Sequence, residues 1–207
     1  MTSIRTPVFP TRIDSLLLCA TLASASTVAA AGPATYRVDP ETTHVEYVAT
    51  ALGGVLQRGR FARMRGEIVL DAEASRGRVD FEIDSRSVDS GFLLRDEFVQ
   101  GEPMLDAVHH PTIRFRSSHL VYVDGGLAKV GGALTLRGVT RPVELLVKSF
   151  ICRSATDTGG ETCDAAVETS FHRSEYGMDS FAPLVDDEIR LDFVVVAHRM
   201  PSADAPP

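Results

Sequence analysis

Residues 86–117 read RSVDSGFLLRDEFVQGEPMLDAVHHPTIRFRS, and this stretch decides the fold. Leu93, Leu94, Phe98 and Val99 recur at helical spacing, with Arg95, Asp96, Glu97 and Gln100 between them. That pattern predicts one or two helical turns near residues 91–100. Asp89 and Ser90 are placed to cap the start, and Gly101 and Pro103 to end it. Pro111 then leads into an alternating strand, Thr112 to Ser117. Everything on either side reads as β-strand, so the helix is an insertion, a lid or side wall on a β-barrel.

Outward from that stretch the strands are short and separated by turn signals. Tyr36–Asp39, His44–Val48, Val55–Phe61, Gly66–Asp71 and Arg78–Asp84 precede it. In the last of these Val79, Phe81 and Ile83 share one face, opposite Asp80 and Glu82. After it come Leu120–Val123 and Leu127–Val130, joined by Asp124-Gly125-Gly126. Gly132–Leu136 and Val143–Phe150 flank Arg137 to Pro142, and Val167–Phe171 and Ile189–Ala197 close the set. There is no internal repeat, linker or second domain. The fold class is all-β, an antiparallel barrel or sandwich of about eight strands. A barrel of that size can hold one small apolar ligand. Periodicity does not separate a filled interior from a hollow one.

The first 31 residues read as a secretory signal peptide. Arg5 and Arg12 give a basic start, an apolar run extends from Leu16 to Ala31, and Ala29-Ala30-Ala31 offers small residues for cleavage. A membrane anchor is the alternative, but the run is short and rich in Ala, Ser and Thr. Cys19 follows Leu18, where a lipoprotein signal would want a small residue, so it reads as an ordinary signal residue. The domain is expected over 32–199, with a frayed tail at 200–207. The expected location is periplasmic or secreted, with no stable membrane insertion after cleavage.

The chain is acidic, −7 overall, and has no Trp. Losing the signal removes two Arg and one Asp, so the mature chain is more acidic still. Nucleic acid and anionic membrane are poor partners for such a surface. Cys152 and Cys163 remain after cleavage and, in an oxidising compartment, are expected to bridge. A redox pair would more often be Cys-x-x-Cys at a helix start.

The ordered motifs resemble those of the YceI-like family, exported lipocalin-like barrels associated with polyisoprenoid lipids. They are Tyr36-x-x-Asp39 with His44, Gly59-Arg60-Phe61 with Gly66, and Asp84-x-x-Ser87-Val88-Asp89-x-Gly91 with Arg95-Asp96. Pro111 to Ser117, Gly131 to Val143 and Arg173 to Met178 complete the set. The chain departs from the family pattern at Val45, at Phe98, at Pro103-Met104-Leu105 and at His109-His110. Three of these four departures lie in the opening stretch.

The resemblance implies a lipocalin-like cavity holding a long isoprenoid, a polyprenyl lipid or an isoprenoid quinone, for transport or storage. The lining it implies is Phe61, Phe81, Ile83, Phe98, Phe115, Leu134, Leu136, Phe171, Tyr176 and Met178, although the same residues could fill a core. His44, Arg95 and Arg173 are candidates to meet a polar head group, a diphosphate or a quinone oxygen. The bland alternative for these Arg residues is an ion pair with Asp96, Asp89 or Asp186. His44 is more readily a hydrogen-bond partner of Asp39. Adjacent His109 and His110 on an extended segment would point to opposite sides, which disfavours a shared metal. No metal or cofactor is expected. No Ser has a G-x-S-x-G setting and no Gly-rich phosphate loop opens a helix, so an enzyme is disfavoured. A filled barrel serving protein interaction or stress protection is the alternative function, and a homodimer is compatible with either.

Overall fold

Eight runs of strand close on themselves in a computed structural model that describes residues 32–71, 73–154 and 160–201. The signal-like segment and residues 202–207 of the tail lie outside the described residues. Three of the eight runs are broken in two. The first is β1 (Ala34–Val38) with β2 (His44–Ala51), the second β3 (Val55–Phe61) with β4 (Met64–Asp71), and the third β5 (Arg76–Asp84) with β6 (Val88–Asp89). The helix α1 (Leu93–Gln100) follows. The other five runs are β7 (Thr112–Val123), β8 (Gly126–Leu136), β9 (Val139–Ser154), β10 (Glu161–His172) and β11 (Val185–Arg199). All pairings are antiparallel, and the barrel closes where β11 meets both halves of the first run. Val38 lies opposite Ala197, and Tyr47 opposite Leu191. Closure leaves the ladder no long free edge.

Alternation places the side chains as the sequence implies. Phe81, Ile83, Ile113 and Phe115 are buried inside, in register as Phe81 with Phe115 and Ile83 with Ile113. The intervening residues pair on the outer face. Asp80 meets Arg116 at 3.2 Å, and Glu82 is covered between Arg65 and Arg114.

The strands are longer than the turn signals suggest. Thr112–Ser117 and Leu120–Val123 form one strand, because the irregularity between Ser117 and His119 is absorbed as a bulge. Leu127–Val130 and Gly132–Leu136 likewise merge into β8. Only Arg137-Gly138 separates β8 from β9, both residues in the left-handed region, so pairing resumes at Val139 rather than Val143. Gly101 ends α1 as expected, but the capping at its start is reversed. Phe92 stands before the helix without a side-chain bond, and Asp96 reaches back to the Ser90 amide at 2.7 Å and hydroxyl at 2.6 Å.

Cys152 and Cys163 are bridged across directly paired positions of β9 and β10. Replacing both by Ser is expected to lower stability by roughly 2–3 kcal/mol, the chain-entropy value for a loop of this size. The urea midpoint under non-reducing conditions reads it. An unchanged midpoint would mean that the ladder alone holds the two strands.

Candidate functional site

Two apolar cavities abut inside the barrel. The outer one, about 180 Å³, lies under α1 and is lined by Phe61, Ile83, Phe98, Leu134, Leu136, Phe171 and Met178, with Val99, Met104 and Leu105 from the helix and the segment after it. The inner one, about 90 Å³, is lined by Phe81, Phe115, Val130, Leu145, Val167 and Phe193 among others. Leu134 and Leu191 line both and form the waist between them. Of the ten expected lining residues, seven face the outer chamber and two, Phe81 and Phe115, the inner. Tyr176 faces neither. It is buried behind Phe171, their rings 5.2 Å apart and nearly perpendicular. Burial and then the Glu175 charge push its hydroxyl up to about 12, against an opposing contribution from Arg141.

The roof of the outer chamber is pinned by main-chain contacts. Arg137 donates to the Met104 and Gly177 carbonyls, both at 2.9 Å. Arg86 holds the Ala107 carbonyl at 3.1 Å, and the Ser85 hydroxyl donates to His110 O at 2.9 Å. His109 and His110 lie in a turn rather than an extended segment, so both rings approach one carboxylate. Asp106 lies 2.8 Å from His109 Nδ1 and 3.9 Å from His110 Nε2. The His109 hydrogen bond holds the Asp106 carboxyl below its ordinary range. Cys152, Glu161 and Cys163 form the metal-compatible grouping found among the described residues, and the bridge consumes both of its thiolates.

The three head-group candidates separate. His44 lies at the start of β2 and lines neither cavity, and Asp39 turns instead to the Glu41 amide, the Thr42 hydroxyl and His198. Arg173 lines the outer chamber but is only 2% exposed. It forms no ion pair of the expected kind. Its guanidinium donates to the carbonyls of Asp186 (3.0 Å), Ser180 (2.8 Å), Val185 (3.0 Å) and Met178. Arg95 lines the mouth with its guanidinium 5.8 Å from the Phe92 ring centre.

Two further polar groups at this end were not singled out by the sequence. Gln57 and Tyr47 also line the outer chamber. Tyr47 sits across the ladder from Gly59, where any Cβ would fall within 2.7 Å of the ring and its hydroxyl. The missing side chain is what lets the ring lie flat on that backbone. Burial raises the Tyr47 hydroxyl above its ordinary value, with Arg95 opposing and Asp96 reinforcing. Around the same mouth the surface is apolar. Leu52, Val55 and Leu56 follow β2, Phe92 (63% exposed), Leu93 and Leu94 (73%) begin the helical segment, and Phe181 and Leu184 precede β11. These segments touch: Leu52 N donates to Leu184 O at 2.8 Å, and the Phe98 and Phe181 rings lie 4.9 Å apart.

The profile described as YceI-like domain matches residues 36–197. The chain belongs to the YceI-like family. Its barrel is accordingly similar to solved members. BcnA of Burkholderia cenocepacia superposes with a TM-score of 0.61 at 25% identity, covering 77% of this chain and 98% of that one. A polyisoprenoid binding domain from Saccharophagus degradans, implicated in plant cell wall breakdown, gives 0.60 at 16%, covering 80% and 98%. A UPF0312 protein of Vibrio cholerae is 29% identical over 170 residues, 80% of this chain and 89% of its own. This YceI-like barrel presents a closed wall and an apolar two-chamber interior, with polar groups at the end under α1.

Proposed function

We propose that this chain is an exported, non-catalytic binding protein that carries or stores a long isoprenoid lipid, a polyprenyl lipid or an isoprenoid quinone, in the barrel. The observation that carries this reading is the pair of abutting apolar chambers under an apolar rim. A hydrocarbon tail inside exchanges water contacts for dispersion contacts along its length. The two chambers are small beside the roughly 300–1,000 Å³ of ordinary ligand sites. A long tail must therefore displace side chains, and Met104 and Met178 are the adaptable residues of the outer wall. Family membership and the neighbour described as polyisoprenoid-binding support the choice of lipid.

The non-catalytic reading rests on the lining: among the described residues, neither chamber is lined by Asp, Glu, His, Cys or Ser. Export rests on the basic start, apolar run and Ala29-Ala30-Ala31 of the sequence. No helix among the described residues is long and apolar enough to cross a membrane. The test is organic extraction of native protein purified without detergent, followed by mass spectrometry. A co-purifying isoprenoid in near-stoichiometric amount is expected. A lipid-free extract from protein that also takes up no prenyl probe would overturn the reading.

A further inference from the structure

Resting on the lipid-binding reading, the question is what the tail carries at its end and which way it lies. The inner chamber has one polar lining side chain, Thr169, whose hydroxyl already donates to Glu144 O at 2.8 Å. A polar head there would lose its water partners without gaining new ones. The outer chamber differs. Tyr47 is 8% exposed, and its hydroxyl has no hydrogen-bond partner among the described residues. A buried hydroxyl left unpaired is costly, and one that lines a cavity is positioned for something that enters it. The Tyr176 hydroxyl is also unpaired, but it faces neither chamber.

We propose that the Tyr47 hydroxyl, with the Arg95 guanidinium and the Gln57 amide at the same mouth, is a donor subsite for a neutral carbonyl-bearing head group, the tail running past Leu134 and Leu191 into the inner chamber. All three groups can donate and are at least half-buried. A phosphate or diphosphate head suits this end poorly, because such a head wants several cations. Arg173 commits four of its five N–H donors to main-chain carbonyls, leaving Arg95 as the charged lining group with most of its donors free. Asp96 and Glu97 stand beside Arg95 in the chain, and Asp186 and Asp187 follow Val185 at the same mouth. Of the two cations that line the chamber, Arg173 is committed to main-chain carbonyls, so Arg95 can polarise a carbonyl but does not alone supply the several cationic donors that a diphosphate wants.

The test compares three probes of matched prenyl length: an isoprenoid benzoquinone, the hydrocarbon lacking a head, and the prenyl diphosphate. Wild type is expected to prefer the quinone. Tyr47→Phe removes the hydroxyl and keeps the ring. It is expected to weaken quinone binding roughly three- to tenfold, the range of one neutral hydrogen bond, and to leave the hydrocarbon unchanged. Adding Arg95→Gln should weaken the quinone further. The Tyr47→Phe protein should melt at or above wild type, since the hydroxyl has no internal partner to lose. Equal losses for quinone and hydrocarbon would show that Tyr47 only packs. A lower melting temperature would show that its hydroxyl is bonded internally. A wild-type preference for the diphosphate would overturn the neutral head. Folded wild type that binds none of the probes, the hydrocarbon included, would overturn the lipid reading itself and the subsite with it.

Discussion

Arg173→Leu is expected to destabilise the barrel by about 3–5 kcal/mol, because several carbonyls lose their donor at about 1–3 kcal/mol for each that stays buried. The side chain is nearly fully enclosed, and its guanidinium bonds four carbonyls of one segment, at Met178, Ser180, Val185 and Asp186. Charge-assisted bonds are each worth more than neutral ones, and the carbonyls left behind are partly buried without a donor. Leu restores apolar volume and none of those bonds. Lys is expected to recover little, because one ammonium cannot span the arc that the planar fork spans. The same segment carries Asp187, whose carboxylate accepts from the Ser174 hydroxyl at 2.7 Å and amide at 2.8 Å. These bonds hold its carboxyl below the ordinary range. Urea denaturation at neutral pH measures the Arg173 effect. A loss under about 1 kcal/mol, the scale of an ordinary surface change, would mean that the segment holds its shape without the arginine. Arg173 would then again be a candidate to contact ligand.

How much of this was legible before the fold was known varies by residue. Val79, Phe81 and Ile83 declare their face because strand alternation is local, and the structure puts them inside. The helix at 93–100 was legible for the same reason, its period being contained in eight residues. Closure was not legible from periodicity, since β11 must find β1 and β2 across most of the chain. The family resemblance supplied it. Arg173 lines the chamber, but its partners were not legible, because they are main-chain carbonyls, which leave no trace in residue identity. Tyr47 was missed because its meaning depends on register. Only once Gly59 is known to lie opposite does the flat ring become visible, and only the fold shows that its hydroxyl lacks a partner. The hollow itself was beyond pattern reading, because Phe115 in a packed core and Phe115 beside a cavity alternate identically.

That ambiguity becomes measurable in Phe115→Ala. The ring is buried, faces Phe81 across the ladder, and lies against Gly132, where a Cβ would come within 2.6 Å of it and 2.3 Å of the Arg116 carbonyl. It also lines the inner chamber. Truncating a fully packed Phe costs roughly 3–5 kcal/mol, part of it for the void left behind. Here part of the ring already borders empty space, so a loss of about 3 kcal/mol is expected, the low end of that range. The void created joins the inner chamber beyond the Leu134–Leu191 waist. A tail that stops at this wall in wild type then has room for further length. The expected outcome is therefore paired: lower stability of ligand-stripped protein, together with a shift in preference toward prenyl probes longer by about one isoprene unit, since each extra buried methylene is worth about 0.8 kcal/mol. Tail length is the informative variable, because a filled barrel would show the stability loss with no dependence on length. A shift toward shorter tails would place the end of the chain in the outer chamber and reverse the orientation argued from Thr169 and Tyr47.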